Sequence, residues 1–228
     1  MQFLERNLKE HYFGDNMNEF VILVDEHDNP IGKEEKVKCH LPNGKLHRAF
    51  TAMIFNKEGK LLLTKRSASK MLWPDDWDGT VASHPREGET YISSAERRIP
   101  EEIGITCEMN YVNKFEYHVP YRNVGSENEV CGTLIGVVDN FDEYQFHHDE
   151  ISEIKWITQD ELKVEFEQNR DSYCPWMAIA LYFFADCDDT TLEKFGTLIK
   201  SWTTDELQQV YQNAIKHYIP DDNWRLIK

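Results

Sequence analysis

Two apolar runs, Ala49 to Phe55 and Lys60 to Thr64, are separated by Asn56, Lys57, Glu58 and Gly59. Turn formers between two β-prone segments predict an antiparallel hairpin, so this chain is built around a sheet. A second hairpin start lies upstream, where the β-branched run Phe20 to Val24 meets the turn-rich segment Asp28, Asn29, Pro30, Ile31, Gly32. Further strands are expected at Tyr111 to Val119, Glu129 to Val138 and Glu153 to Ile157. Between the first and second groups, Trp73 to Pro85 reads as irregular. Helical patterning covers Ile92 to Ile103, stopped by Gly104, with Pro100 placed awkwardly late. Capping boxes at Thr158 to Glu161 and Thr203 to Glu206 open two more helices, the second running to about His217. The segment Pro175 to Phe184 is apolar on all sides, as a buried helix is. Strands mixed with helices, without βαβ alternation or repeats, predict an α+β sandwich.

Length allows one substantial core, and no Pro-, Gly- or Ser-rich stretch looks like a linker. The expected layout is an N-terminal extension (1–18), a catalytic domain (19–187) and a helical C-terminal tail (188–228). The longest apolar runs fall short of the roughly 20 residues that cross a bilayer, so no membrane insertion is expected. Neither a secretory nor a transit pattern opens the sequence, which predicts a cytoplasmic protein. Five scattered cysteines without a C-x-x-C pair argue against a disulfide framework or zinc knuckle. A net charge of -16 argues against nucleic acid as a partner, yet leaves room for a small phosphorylated ligand in a locally basic pocket.

Chemistry-bearing residues fall into two clusters. His40, His47 and His84 stand near loops, and Glu127 and Glu129 have the spacing that puts both carboxylates on one face of a strand. Three imidazoles with two carboxylates suit a divalent transition metal such as Zn, Mn or Fe; they are equally compatible with isolated surface or hydrogen-bonded residues. The second cluster comprises Glu89, Arg97, Ile99, Glu101, Glu102, Gly104 and Ile105, matching positions of the Nudix box. Ser83 stands where that pattern has glycine and Arg98 where it has glutamate; a charged amphipathic helix with a solvated face is the alternative.

Both clusters, in this order, resemble type I isopentenyl diphosphate isomerase, from about Glu19 to Met177. The stretches carrying the resemblance are H-L-P-N-G-K-L-H-R-A-F (His40 to Phe50), T-K-R-S-A-S-K-M-L-W-P (Thr64 to Pro74), W-D-G-T-V-A-S-H-P (Trp77 to Pro85), E-N-E-V (Glu127 to Val130) and P-W-M (Pro175 to Met177). The resemblance implies a Nudix-type α/β/α sandwich with a mixed sheet and a helical C-terminal extension. It implies that His40, His47, His84, Glu127 and Glu129 hold a transition metal, Zn or Mn, and that Glu102 holds magnesium arriving with the substrate diphosphate. Lys36, Arg66 and Lys70 match phosphate-binding positions, Tyr117 and Glu129 a proton-handling pair, and Trp176 a cation-stabilising ring. Trp73 and Trp77 are expected to line the site or simply to fill core. The implied partner is a small prenyl diphosphate, the implied state a monomer or homodimer.

One position departs from the pattern. Where the family has a catalytic cysteine, two residues before His84, this chain has Ala82. A methyl group carries no proton, and neighbouring Ser83 is a poor substitute. The chain is then a substituted form of an ordinary isomerase, a homologue using another base or water, or a relative with other chemistry. Nudix hydrolysis of a small diphosphate and non-catalytic prenyl diphosphate binding stay open as alternatives.

Overall fold

The computed structural model describes residues 19–139 and 146–227; the expected N-terminal extension, residues 1–18, lies outside them. Strands β1 (Phe20–Val24) and β2 (Pro30–Glu35) form the predicted upstream hairpin, and a short helix α1 (Lys36–His40) follows. The organising strand is β3 (His47–Asn56). It runs parallel to β8 (Gly125–Val138) in a register from His47↔Glu129 to Asn56↔Val138. Next to β8 lies antiparallel β7 (Asn110–Tyr121), and outside it β10 (Trp224–Ile227), giving the order β10-β7-β8-β3-β1-β2 in a mixed sheet.

The Asn56–Gly59 turn forms as read, with Gly59 at φ 80 and its N–H donating to the Asn56 carbonyl at 3.0 Å. Its strands then separate. After Phe55↔Leu61, β4 (Leu61–Arg66) leaves β3 to pair with β9 (Ile151–Ile157) and β5 (Trp77–Asp78), while β3 takes β6 (Val81–Ser83) as its antiparallel neighbour. The stretch expected to be irregular therefore contains two short strands, each stabilised by pairing that is distant in sequence.

Alternation along β3 explains the layers. Phe50, Ala52 and Ile54 face one side and pack with Ala95, Ile99 and Ile103 of α2 (Tyr91–Ile103). Ala49, Met53 and Phe55 face the other, against α4 (Pro175–Tyr182), whose residues from Pro175 to Leu181 are all buried. Helix on both faces of a mixed sheet is the α/β/α sandwich expected. Helix α2 begins at a capping box of Thr90 with Ser93 and ends at Gly104, φ 74. Pro100 removes the N–H that would reach the Glu96 carbonyl, and both residues lie on the exposed face of the helix.

Helix α3 (Gln159–Gln168) has the predicted box of Thr158 with Glu161. The box predicted at Thr203 is a correction: Thr204 caps α6 (Asp205–Tyr218), accepting from the Leu207 N–H, while the Thr203 hydroxyl donates back to the Ile199 carbonyl of α5 (Asp189–Trp202). Helices α5 and α6 bury Trp202, Tyr211 and Ile215 in the same core as Phe55 and Ile179. Among the described residues, no helix is long and apolar enough to cross a membrane.

Candidate active site

Three chain segments converge at the start of β3. His47 opens that strand directly beside Glu129 of β8, His84 follows β6, and His40 ends α1. Helix α1 sits close over β8 because residue 125 is glycine: a Cβ there would stand 2.7 Å from the His40 carbonyl oxygen. The ring nitrogens and carboxylate oxygen of His40, His47, His84 and Glu129 lie within 4.8 Å of one another. Nε2 atoms of His47 and His84 are 3.1 Å apart, and each is 3.3 Å from Glu129 Oε1. Glu127 joins at the margin, its Oε2 3.0 Å from His40 Nε2 but without the angle of a hydrogen bond.

The donor set fits a divalent cation. His40 donates Nδ1–H to the Lys36 carbonyl at 2.6 Å and His47 donates Nδ1–H to the Lys45 carbonyl at 2.8 Å. In the neutral tautomer so fixed, each Nε2 presents a lone pair toward the cluster. Buried lone pairs and carboxylates gathered this closely require positive charge among them. With only protons to supply it, charge concentrates on His47: burial opposes this, but Cys39 and Glu129 raise its pKa well above the ordinary imidazole value. Burial, then the charges of Lys36, His47 and His40, hold His84 neutral, its pKa well below that value.

Glu129 also accepts from Tyr117, whose hydroxyl lies 2.6 Å from Oε2. Burial, followed by Glu129 itself, pushes the phenol well above its usual pKa, so the proton stays on the oxygen of Tyr117. Against its own burial, Glu129 is held below the usual carboxylate range by His47 and Tyr117. These groups floor a cavity of about 410 Å³ whose wall includes Trp176, Leu72, Met71 and Ala82. Ala82 lies opposite Thr51 on β3 and is half-buried.

Lys36, Arg66 and Lys70 all line the same cavity. Lys36 is paired with Glu19 at 2.8 Å and Lys70 with Glu150. Arg66 donates to the carbonyls of Trp73 and Leu72 at 2.9 and 3.0 Å and lies 3.4 Å from Asp78. Glu102 stands apart from the histidine cluster. It lines an adjoining cavity of about 740 Å³ and is held by Arg98, with Nη2 2.7 Å from Oε1.

Glu150, Cys131 and His147 are cavity residues not singled out as site residues from the sequence. Cys131 was open to discovery, since it continues the alternation of Glu127 and Glu129 on β8. Glu150 gave no local signal, because its partner Lys70 is 80 positions away. All five cysteines are free.

The sandwich with its helix-and-loop site defines a Nudix domain, and a NUDIX domain family model matches residues 45–177. An isopentenyl-diphosphate Delta-isomerase of Haloarcula marismortui is 36% identical over 172 residues, covering 73% of this chain and 91% of the relative. The isopentenyl-diphosphate Delta-isomerase 2 of Photorhabdus laumondii is 38% identical over 160 residues, covering 70% of this chain and 89% of that protein. By these matches the chain belongs to the isopentenyl-diphosphate Delta-isomerases, a family of enzymes within the Nudix fold. A crystal structure of a Deinococcus radiodurans protein shares the fold, with a TM-score of 0.54 and 22% identity over 66% of this chain and 90% of that one.

Proposed function

We propose that this chain is a metal-assisted isomerase of isopentenyl and dimethylallyl diphosphate whose turnover is limited by Ala82. The observation that carries the reading is the buried Tyr117–Glu129 hydrogen bond, 2.6 Å long, in one cavity with Trp176, Lys36, Arg66 and Lys70. The relatives' names supply the substrate, and the cavity chemistry suits it. Lys36, Arg66 and Lys70 receive the diphosphate oxygens, the arginine as a planar fork and the lysines as point charges. The two lysines must exchange their present partners, Glu19 and Glu150, for phosphate.

Moving an unactivated double bond takes a proton onto the terminal alkene carbon, leaves a tertiary cation on the methyl-bearing carbon, and takes another proton off the chain methylene on the diphosphate side of that cation. Glu129 takes up a proton from water and passes it to the alkene, while Tyr117 keeps its own proton and positions the carboxylate through their hydrogen bond; Trp176 offers the cation an indole face in a largely apolar wall. Water is kept away from that cation by Leu72 and Met71. A divalent ion, Zn or Mn, held by His40, His47, His84, Glu127 and Glu129 would supply fixed positive charge beside the carboxylate; magnesium would enter with the diphosphate at Glu102. The second proton leaves on the side of Ala82, whose methyl group cannot accept it, so water takes it and this step limits turnover. The reading carries with it a cytoplasmic monomer or homodimer.

Incubation of the metal-loaded protein with isopentenyl diphosphate in deuterated water tests this. Deuterium in recovered substrate or in dimethylallyl diphosphate is expected. Phosphate release without deuterium would replace the reading with hydrolysis, and unaltered substrate would leave a binding protein.

A further inference from the structure

Asp78, met above only as a neighbour of Arg66, makes a polar contact at 2.8 Å to the indole that walls the cavity. It sits on β5 opposite Thr64 of β4 and is buried. Trp176 donates its Nε1–H to Asp78 Oδ1 at 2.8 Å, and the Gly79 N–H donates to the same oxygen at 2.7 Å. The other oxygen faces Arg66 Nη1 at 3.4 Å. All three neighbours are donors, so the aspartate acts purely as an acceptor, the role of its ionised form. Arg66 closes the circuit: its guanidinium carbon is 5.3 Å from the Trp176 ring centroid. Trp73 fixes the indole edge-on, with ring centroids 5.3 Å apart.

This geometry poses an electrostatic problem. An indole already beside a guanidinium is a poor seat for a second cation, because like charges a few ångströms apart in a dry site repel strongly. A carboxylate bonded to both changes the balance. It neutralises the guanidinium, and as acceptor of the indole N–H it feeds negative charge into the ring, enriching the face that meets a cation.

We infer that Asp78 is a positioning residue that makes Trp176 receptive to positive charge, holding the indole by its N–H and cancelling Arg66. The inference rests on the proposed function, since it assumes that a cation forms against Trp176. Its counterpart is ligand selectivity: the cavity should prefer an alkyl diphosphate whose tail carries a positive charge over a neutral tail of the same shape.

The experiment compares, by calorimetry in one metal-containing buffer, dimethylaminoethyl diphosphate (a tertiary ammonium at neutral pH) with isopentyl diphosphate. The ratio of the two affinities is the readout. The parent should prefer the ammonium ligand, and Asp78→Asn should reduce that preference by about tenfold or more while leaving affinity for isopentyl diphosphate within a few-fold. The neutral ligand thereby reports whether the variant is folded. Should Asp78→Asn fail to fold with an uncompensated Arg66, the double variant Asp78→Asn, Arg66→Met removes both charges. Because no guanidinium then opposes the cation, it should bind both ligands more weakly but keep most of the parent's ratio. An Asp78→Asn protein that binds isopentyl diphosphate normally with the parent's ratio overturns this inference alone, as does a double variant that loses the preference. A parent that binds neither ligand overturns the proposed function and this inference with it.

Discussion

Tyr117 and Glu129 face each other across the antiparallel strands β7 and β8, and the phenol donates to the carboxylate at 2.6 Å. In the proposed reaction this pair handles one proton, whereas Ala82 has no group to carry the other. Replacing Ala82 by cysteine should raise isomerisation by on the order of a hundredfold to ten-thousandfold, the usual worth of a positioned proton carrier, with affinity for isopentenyl diphosphate little changed. Steady-state rates of parent and variant decide it. A variant no faster than the parent would mean that the cavity is not aligned for this reaction.

Elemental analysis of the purified protein should find one tightly held transition metal. Removing one imidazole, His47→Ala, should weaken its retention by at least about tenfold, a loss seen even for residues that only support ligands. Undiminished metal content in that variant would remove His47 from the ligand set.

Arg98 spans Glu101, Glu102 and Glu150, with contacts at 2.9, 2.7 and 3.3 Å. A guanidinium among the carboxylates of α2 opposes the magnesium cluster that nucleotide hydrolysis needs. Release of phosphate from dinucleotides or nucleotide sugars should therefore be absent or very slow. Rapid release, measured as product nucleotide, would promote a hydrolase function.

Acid should loosen the cavity rim through Glu150. Burial alone would raise its pKa, but Lys70 and Arg98 lower it to about 2, against an ordinary glutamate near about 4.3. A depressed carboxylate contributes stability that is present above the ordinary value and lost as pH falls through the folded one. Denaturant midpoints should thus drop between about pH 5 and pH 2, and Glu150→Gln should flatten that drop. An unchanged slope in the variant would assign acid sensitivity to other groups.

Trp202 is fully buried, donates Nε1–H to the Gly59 carbonyl at 3.0 Å and meets Phe55 edge-on at 5.4 Å. Its truncation to alanine should cost about 3–5 kcal/mol in denaturant unfolding. A loss below about 1 kcal/mol would mean that α5 is dispensable to the core.

The sheet was legible where alternation and turn residues speak locally, as at Phe20–Val24 and the Asn56–Gly59 turn. Pairing partners were not. The separation of β4 from β3 depends on β9, some ninety positions further on, and no local pattern encodes that choice. Likewise Thr203 and Thr204 are adjacent and chemically alike, and only the end of α5, which uses the Thr203 hydroxyl, decides which one caps α6. The histidines and the two glutamates could be picked out by type and spacing, and four of those five side chains gather in one group. The partners of Lys70 and Arg66 remained hidden because Glu150 and Asp78 act from other strands or loops through space.

The parallel alignment of β3 with β8 sets His47 beside Glu129, across a loop of roughly eighty residues. Contacts of such span form late, since the entropy of closing the loop is lost before any pairing rewards it. A denatured chain offers an ion only scattered imidazoles, and the histidine–glutamate cluster comes together with the middle of the sheet. Under the proposed metal assignment, capture and refolding would be one thermodynamic event: added ion should shift the unfolding midpoint in proportion to the logarithm of its concentration, and slow the escape of the native state more than it speeds the return.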